Sequence, residues 1–284
     1  MINSNTSLYG LVGFPVKHSF SPLMHNYFFE KKGINAVYLC FETLPEQAKY
    51  LKNSIISLGI KGLNVTVPYK QKVMGILDKL DPKAELIGAV NTIKADRGEL
   101  TGFNTDGIGF VRSLKEKAKF NIRGRKAVIL GAGGAAKSIS VYLAEEEAGC
   151  LGLFDIKIRR AKKLAEEIKE RYKKLRVKVY NSEPDIDLND TSLLVNATGL
   201  GMNKNDSLPL DPKKLGKNLL VYDLTYNPSN PVLLREAGKR GCKVMNGLWM
   251  LIYQGLASLE IWMGRDFPGG EKILSRALAK VIRS

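Results

Sequence analysis

The feature that most constrains this chain is the apolar run Lys126-Ala127-Val128-Ile129-Leu130, which feeds directly into Gly131-Ala132-Gly133-Gly134-Ala135-Ala136. An apolar run closed by a glycine turn and followed by a helical pattern reads as strand, tight turn and helix. Parallel strands joined through helices take right-handed crossovers, so this stretch predicts an open parallel sheet covered by helices. Each glycine has its own task. Gly131 permits the turn, Gly133 lets the backbone approach a pyrophosphate, and Gly134 with the small Ala135 and Ala136 lets the helix start close to the sheet. The N–H groups and positive dipole end of that helix then face the phosphates. The next predicted strand, 150–154, runs into Asp155, at the spacing of an acidic residue that binds an adenosine ribose.

The pattern continues on both sides. Strands are predicted at 176–180, 192–197, 219–224 and 243–245, which together with 126–130 and 150–154 make a Rossmann-type, doubly wound nucleotide domain. Residues 157–174 place Ala161, Leu164, Ala165, Ile168 and Tyr172 at helical spacing with charge of both signs between them, an amphipathic helix with a charged outer face. Before residue 110 the chain also alternates. Strands are predicted at 8–13, 37–42 and 62–67, a helix at 45–58, and a hairpin of 89–94 with 99–102 about Asp96-Arg97-Gly98. Ser21 is expected to cap a helix that opens with Pro22. A helix over 107–119 and a basic turn at Arg123-Gly124-Arg125 lead to the second unit, and helical patterns at 248–263 and 271–282 end the chain. The fold class is α/β: an N-terminal α/β domain with a mixed sheet, then the parallel-sheet domain.

Composition removes several functions. The chain has 284 residues, room for two ordinary domains. Cys40, Cys150 and Cys242 are odd in number and far apart, which gives neither a disulfide framework nor metal-ligand spacing and points to a reducing, cytoplasmic setting. With only His18 and His25, a histidine zinc site or a Ser-His-Asp triad is not expected, and no metal is. The first residues lack a signal-peptide pattern, and no run reaches the roughly 18 apolar residues of a membrane span. A formal net charge of +16 can recruit nucleic acid or anionic lipid, or steer an anionic substrate or a phosphorylated cofactor, but it is spread along the chain and mixed with Glu on helices, so it reads as a solvated surface. Aromatic stacking motifs are missing, and a nucleic-acid partner is not expected.

The candidate chemistry lies outside the glycine turn. Lys70, in Asn64-Val65-Thr66-Val67-Pro68-Tyr69-Lys70, should sit at a strand end, where ligand sites of α/β folds lie. Asp106, in Asn104-Thr105-Asp106, follows a strand and opens a helix, where a carboxylate serves equally as a helix cap. Asn64, Thr66, Asn91, Asn104 and Thr105 all fall at strand ends or junctions. Short polar groups converging in apolar surroundings suit a small polyol, although each alone is also what a turn or cap uses.

These segments resemble the shikimate dehydrogenase family. Gly13-Phe14-Pro15-Val16-Lys17-His18-Ser19-Phe20-Ser21-Pro22 is similar to its substrate-entry motif. The segment ending in Lys70, Gly88-Ala89-Val90-Asn91-Thr92 and Asn104-Thr105-Asp106-Gly107 are similar to its further substrate motifs. Gly131-Ala132-Gly133-Gly134-Ala135, Asn196-Ala197-Thr198 and Asn246-Gly247-Leu248-x-Met250-Leu251-x-x-Gln254 resemble its nucleotide-domain and closing motifs. They occur in the family's order from about residue 8 to 260.

The resemblance implies NADP-linked, reversible reduction of 3-dehydroshikimate to shikimate in chorismate and aromatic amino-acid biosynthesis. It implies a substrate-binding domain over 1–109, completed by helices of 249–284, a dinucleotide domain over 110–248, and a cleft between them. Ser19, Ser21 and Tyr226 should hold the substrate carboxylate. Thr66, Asn91, Asp106 and Gln254 should bind ring hydroxyls, with Asn64 nearby, and Lys70 with Asp106 should be catalytic. Gly131, Ala132, Gly133, Gly134, Ala135, Thr198, Leu224 and Gly247 fall at cofactor positions. One departure concerns cofactor choice. Where the family commonly has Asn-Arg-Thr, with the Arg on the 2′-phosphate, this chain has Asp155-Ile156-Lys157. Asp155 favours NAD, whereas Lys157, Arg159 and Arg160 favour NADP, so NAD stays open beside the family's NADP. An NAD-linked quinate/shikimate dehydrogenase is the alternative. A monomer or homodimer is expected.

Overall fold

The computed structural model describes residues 2–203 and 205–282. The chain divides into two compact units, Met1–Gly109 with Ile252–Ser284 and Phe110–Leu251.

The first unit runs β1 (Ser7–Gly13), α1 (Ser21–Lys31), β2 (Ala36–Glu42), α2 (Leu51–Ser57), β3 (Gly62–Val65), β4 (Lys79–Leu80), α3 (Pro82–Ile87), β5 (Thr92–Asp96) and β6 (Glu99–Phe103). Its sheet has the order β2-β1-β3-β5-β6-β4. β1 pairs parallel with β2 and β3, while β3–β5 and β5–β6 are antiparallel, so the sheet is mixed. Val12, Leu63, Val65, Ile93 and Leu100 bury one face against Leu51, Ile55 and Tyr69. The polar ends of β3 and β5 thereby come side by side.

Local chemistry explains where this unit departs from expectation. Ser21 is the first residue of α1, not its cap; the N-cap is Phe20, without a side-chain bond, and Ser19 Oγ accepts from the Ser21 N–H at 3.2 Å. The helix expected over 45–58 is a 3₁₀ turn, Pro45–Tyr50, followed by α2. Strand 62–67 stops at Val65 because Pro68 has no N–H to give the ladder, and Tyr69 N–H instead turns back to Thr66 O at 2.9 Å. The short β4 and α3, capped by Asp81, carry too little periodicity to be read in advance.

α4 (Asp106–Glu116) leads into the second unit, which continues β7 (Lys126–Leu130), α5 (Gly134–Glu145), β8 (Cys150–Phe154), α6 (Ile158–Arg171), β9 (Arg176–Val179), β10 (Thr191–Asn196), β11 (Leu220–Asp223), α7 (Val232–Lys239) and β12 (Lys243–Asn246). All its strands are parallel, in the order β12-β11-β10-β7-β8-β9. Ala127, Val128, Ile129 and Leu130 of β7 are wholly buried, as a central parallel strand covered on both faces requires. The strand order reverses between β7 and β10, which puts a switch point at their carboxyl ends. α7 is only eight residues long, too short for the sequence pattern to predict it. α8 (Leu248–Met263) begins in this unit and ends in the first, where α9 (Gly270–Ile282) packs on α1. No helix among the described residues is long and apolar enough to cross a membrane.

Candidate active site

In the first unit the strand ends gather most of the expected polar residues. Buried Tyr69 donates its hydroxyl to Thr43 O, and Val90 N–H donates to Lys70 O at 2.7 Å. These bonds hold the chain after β3 so that Lys70 lies beside the loop carrying Asn91. Lys70 Nζ is 2.6 Å from Asp106 Oδ2, with side-chain exposures of 22% and 7%. The carboxylate is therefore nearly out of water while the ammonium keeps an open side.

Asp106 does not cap its helix. Its own N–H donates to Asn104 Oδ1 at 3.1 Å, and its Oδ1 accepts from Asn91 Nδ2 at 2.8 Å. Asn104 Nδ2 in turn reaches Ala89 O at 2.9 Å. Asn91 also donates to Thr105 Oγ1 at 2.9 Å and to Gln254 Oε1 at 3.2 Å, and its Oδ1 accepts from Thr105 N–H at 2.7 Å. Lys70, Asp106, Asn91, Thr105 and Gln254 thus form one hydrogen-bonded group drawn from four separate segments.

The network continues beyond the residues named from sequence. Asn64 Nδ2 donates to Ser258 Oγ at 2.9 Å and lies 3.2 Å from Thr92 Oγ1, and its Oδ1 accepts from Tyr38 OH at 2.8 Å. Tyr38 also bonds the Ser21 side chain, and burial raises its phenol well above the usual value. Tyr38, Thr92 and Ser258 are not among the site residues that the sequence indicates. Ser258 has a legible signal, since it lies four residues after Gln254 and so on the same helix face. Tyr38, on the edge strand β2, has none. Thr66 is tied to the sheet by its N–H, which donates to Val12 O at 2.9 Å. Ser19 is held beside Ser21 by the backbone bond already described.

The second unit holds the remaining candidates. Gly131, at the end of β7, has φ +97°, and a Cβ there would lie 2.8 Å from Ala197 O, so only glycine fits between the ends of β7 and β10. Gly133 precedes α5 with no side-chain cap on that helix. Asp155 is buried, and its carboxylate accepts from Ala132 N–H and Lys157 N–H, both at 2.8 Å. It thus clasps the glycine turn to the end of β8, and lone pairs remain on both oxygens. Ile156 is 87% exposed, and Lys157, Arg159 and Arg160 are exposed at the start of α6.

On the other side of the turn, Thr198 donates its N–H and hydroxyl to Asn196 Oδ1 at 3.2 and 2.6 Å. Asn196 Nδ2 reaches Asp223 Oδ2 at 2.9 Å, and burial raises the Asp223 carboxyl. A Cβ on Gly247 would lie 1.9 Å from Leu224 O, so these two cofactor candidates meet backbone to backbone. Tyr226 follows β11, and burial raises its phenol. Among the described residues no group of three His, Cys, Asp or Glu side chains is arranged to hold a metal.

A parallel sheet with its glycine turn at the strand-order reversal, and a separate unit holding a lysine–aspartate pair among amides and hydroxyls, define a two-unit α/β oxidoreductase. Residues 11–93 match the shikimate dehydrogenase substrate binding domain, and residues 247–268 the shikimate 5′-dehydrogenase C-terminal domain. A shikimate dehydrogenase (NADP(+)) of Methanopyrus kandleri is 45% identical, over 94% of this chain and 93% of that protein. The crystal structure of shikimate dehydrogenase from Aquifex aeolicus superposes with a TM-score of 0.90 at 36% identity, covering 98% of this chain and 100% of that one. A crystal structure of a shikimate dehydrogenase in complex with NADP+ gives 0.91 at 40% identity, covering 99% and 98%. The chain belongs to the shikimate dehydrogenase family.

Proposed function

We propose that this chain interconverts 3-dehydroshikimate and shikimate with NADP as hydride partner, as a step of chorismate and aromatic amino-acid biosynthesis in the cytoplasm, with Lys70 as its acid–base group. The first unit is read as the substrate domain and the second as the dinucleotide domain. The observation that carries the reading is the Lys70–Asp106 pair at 2.6 Å, with the second carboxylate oxygen held by Asn91. Reduction of a ring carbonyl builds negative charge on oxygen, and an adjacent ammonium both stabilises and protonates it. Lys70 Nζ gives its proton to that oxygen in reduction and takes the hydroxyl proton in oxidation. Asp106 aims the ammonium and accepts from a ring hydroxyl, with Thr66, Asn91 and Gln254, and Asn64 close by, as further polyol ligands. Ser19, Ser21 and Tyr226 hold the carboxylate.

The residues at the glycine turn fit a dinucleotide. The backbone at Gly131 admits no side chain, and the N-terminus of α5 carries no side-chain cap, which leaves its N–H end to a pyrophosphate. When bound, the nicotinamide supplies hydride in reduction and accepts it in oxidation. Gly131, Ala132, Gly133, Gly134, Ala135, Thr198, Leu224 and Gly247 would line its site, with Lys157, Arg159 and Arg160 toward the 2′-phosphate. The relatives' names and the NADP+ complex support NADP. A second reading, an NAD-linked quinate/shikimate dehydrogenase, is favoured by apolar, exposed Ile156 beside Asp155, where an arginine clamp is missing.

Oxidation rates of shikimate and quinate, each with NADP+ and NAD+, separate these readings. Fast turnover of shikimate with NADP+ is expected. Preferred turnover of quinate, or of NAD+, would move the protein to the second reading. Nucleotide binding without turnover of either polyol would reject both.

A further inference from the structure

Ser258 is wholly buried on α8, one turn beyond Gln254. Its Oγ donates to Gln254 O at 3.0 Å, lies 2.9 Å from Asn64 Nδ2 and from Thr92 Oγ1, and 3.4 Å from Thr105 Oγ1. One hydroxyl therefore joins the ends of β3, β5 and β6 to the helical turn that carries Gln254. The orientation of the Asn64 carboxamide follows from its other neighbours. Asn91 O, at 3.3 Å, can only accept, so the Asn64 amino group must face that side, and Oδ1 is left to accept from Tyr38. Ser258 is the shortest of the three contacts to that amino group. The other two, at 3.2 and 3.3 Å, are poorer bonds.

We infer that Ser258 is a positioning residue for the polyol site: it sets the Asn64 carboxamide and locks it in register with Gln254. The inference rests on the reading of the first unit as the substrate domain. Ser258 would touch no reacting atom. Its loss should loosen the substrate ligands while leaving the Lys70–Asp106 pair in place, because among the described residues the Ser258 hydroxyl bonds to Asn64, Thr92, Thr105 and Gln254 and to neither Lys70 nor Asp106. Such a loss weakens ground-state and transition-state binding alike, which raises KM without lowering kcat.

The test is steady-state kinetics of Ser258→Ala with shikimate and with NADP+, alone and in an Asn64→Ala background, with thermal melting to verify folding. The shikimate KM should rise roughly 3- to 10-fold, as for the loss of one buried hydrogen bond with the two poorer ones left in place. The kcat should stay within about threefold and the NADP+ KM should not change. In the Asn64→Ala background the same change should add less than about twofold, because both act through one contact. Ser258→Cys, which keeps the volume but bonds weakly, gives the same reading if the alanine variant does not fold. An unchanged shikimate KM with only a lower melting temperature would reduce Ser258 to packing, and fully additive effects would separate it from Asn64. Either overturns the inference. Failure of the wild-type protein to oxidise shikimate would instead overturn the functional reading beneath it.

Discussion

Lowering the pH from 7.5 to 5 should selectively destabilise the first unit through His25. This side chain on α1 is fully buried, and neither ring nitrogen has a hydrogen-bond partner among the described residues. It stacks on Tyr38 at 4.4 Å between ring centroids with 20° between planes, and Trp262 and Phe29 lie at 5.7 and 6.5 Å. These are rings, not carboxylates, and the Tyr38 phenol stays neutral because burial raises it further. Burial lowers the His25 pKa from 6.5 to about 3. The unfolded chain therefore takes up a proton near pH 6.5 that the folded chain refuses. Stability is complete above that pH and is lost as pH falls toward 3. From these two values the loss is about 2 kcal/mol at pH 5, and approaches about 4–5 kcal/mol in full.

The assay is urea unfolding at several pH values between 7.5 and 5, for the wild-type protein and His25→Phe. Trp262 fluorescence in a Trp249→Phe background reports the first unit, since Trp249 belongs to the second. Carboxylates titrate in both proteins and cancel in the difference. Any fixed packing penalty of the larger ring cancels as well, because the slope with pH is what is compared. Curves that fall in parallel, within about 0.5 kcal/mol, would refute the reasoning and place a proton-accepting partner or access to water at His25.

Three further outcomes are expected. Lys70→Ala should lower kcat by roughly 10²–10⁴ with a much smaller change in KM, and near-normal turnover would remove Lys70 from the chemistry. Gly131→Ala forces a Cβ to 2.8 Å from Ala197 O on a backbone at φ +97°, a strain on the order of 1–3 kcal/mol, so calorimetry should show nucleotide affinity falling by about tenfold or more. Shikimate affinity, measured with the same variant, should hold. Ile156→Arg should shift the ratio of NADP+ to NAD+ kcat/KM toward NADP+ by roughly tenfold, by pairing with the 2′-phosphate, and an unmoved ratio would place that phosphate elsewhere.

The parts of this fold legible in advance are those written in neighbouring residues. β7 and the glycine turn could be read because a strand buried on both faces is continuously apolar, and because a backbone at φ +97° wedged against Ala197 needs glycine. α6 was legible from its apolar stripe, and its described bounds, Ile158–Arg171, lie inside the amphipathic run. α3, α7 and β4 were not, being too short for periodicity to accumulate. The Ser21 cap was misplaced because Ser-Pro is a valid helix start in isolation, whereas the chain around Ser19 starts the helix at Ser21 itself. The strand ending at Val65 shows the same limit: the alternation of apolar and polar residues continues to Val67, but Pro68 cannot join the ladder.

The sequence by itself determined the class of fold, the place of the glycine turn and the polar residues at the strand ends, because these depend on period, on glycine and on order along the chain. Only the tertiary structure decided which of those residues meet. Asn91 reaches Gln254 and Asn64 reaches Ser258 across most of the chain's length, and no local spacing encodes such pairs. It also decided that Asp106 faces Lys70 and Asn91 instead of capping its helix, and that the Asp155 carboxylate clasps the glycine turn through two backbone N–H groups. The physical reason is common to all of these. A buried polar group must find a partner, and which partner lies within about 3 Å is set by how sheets and helices pack, not by the identity of its neighbours along the chain.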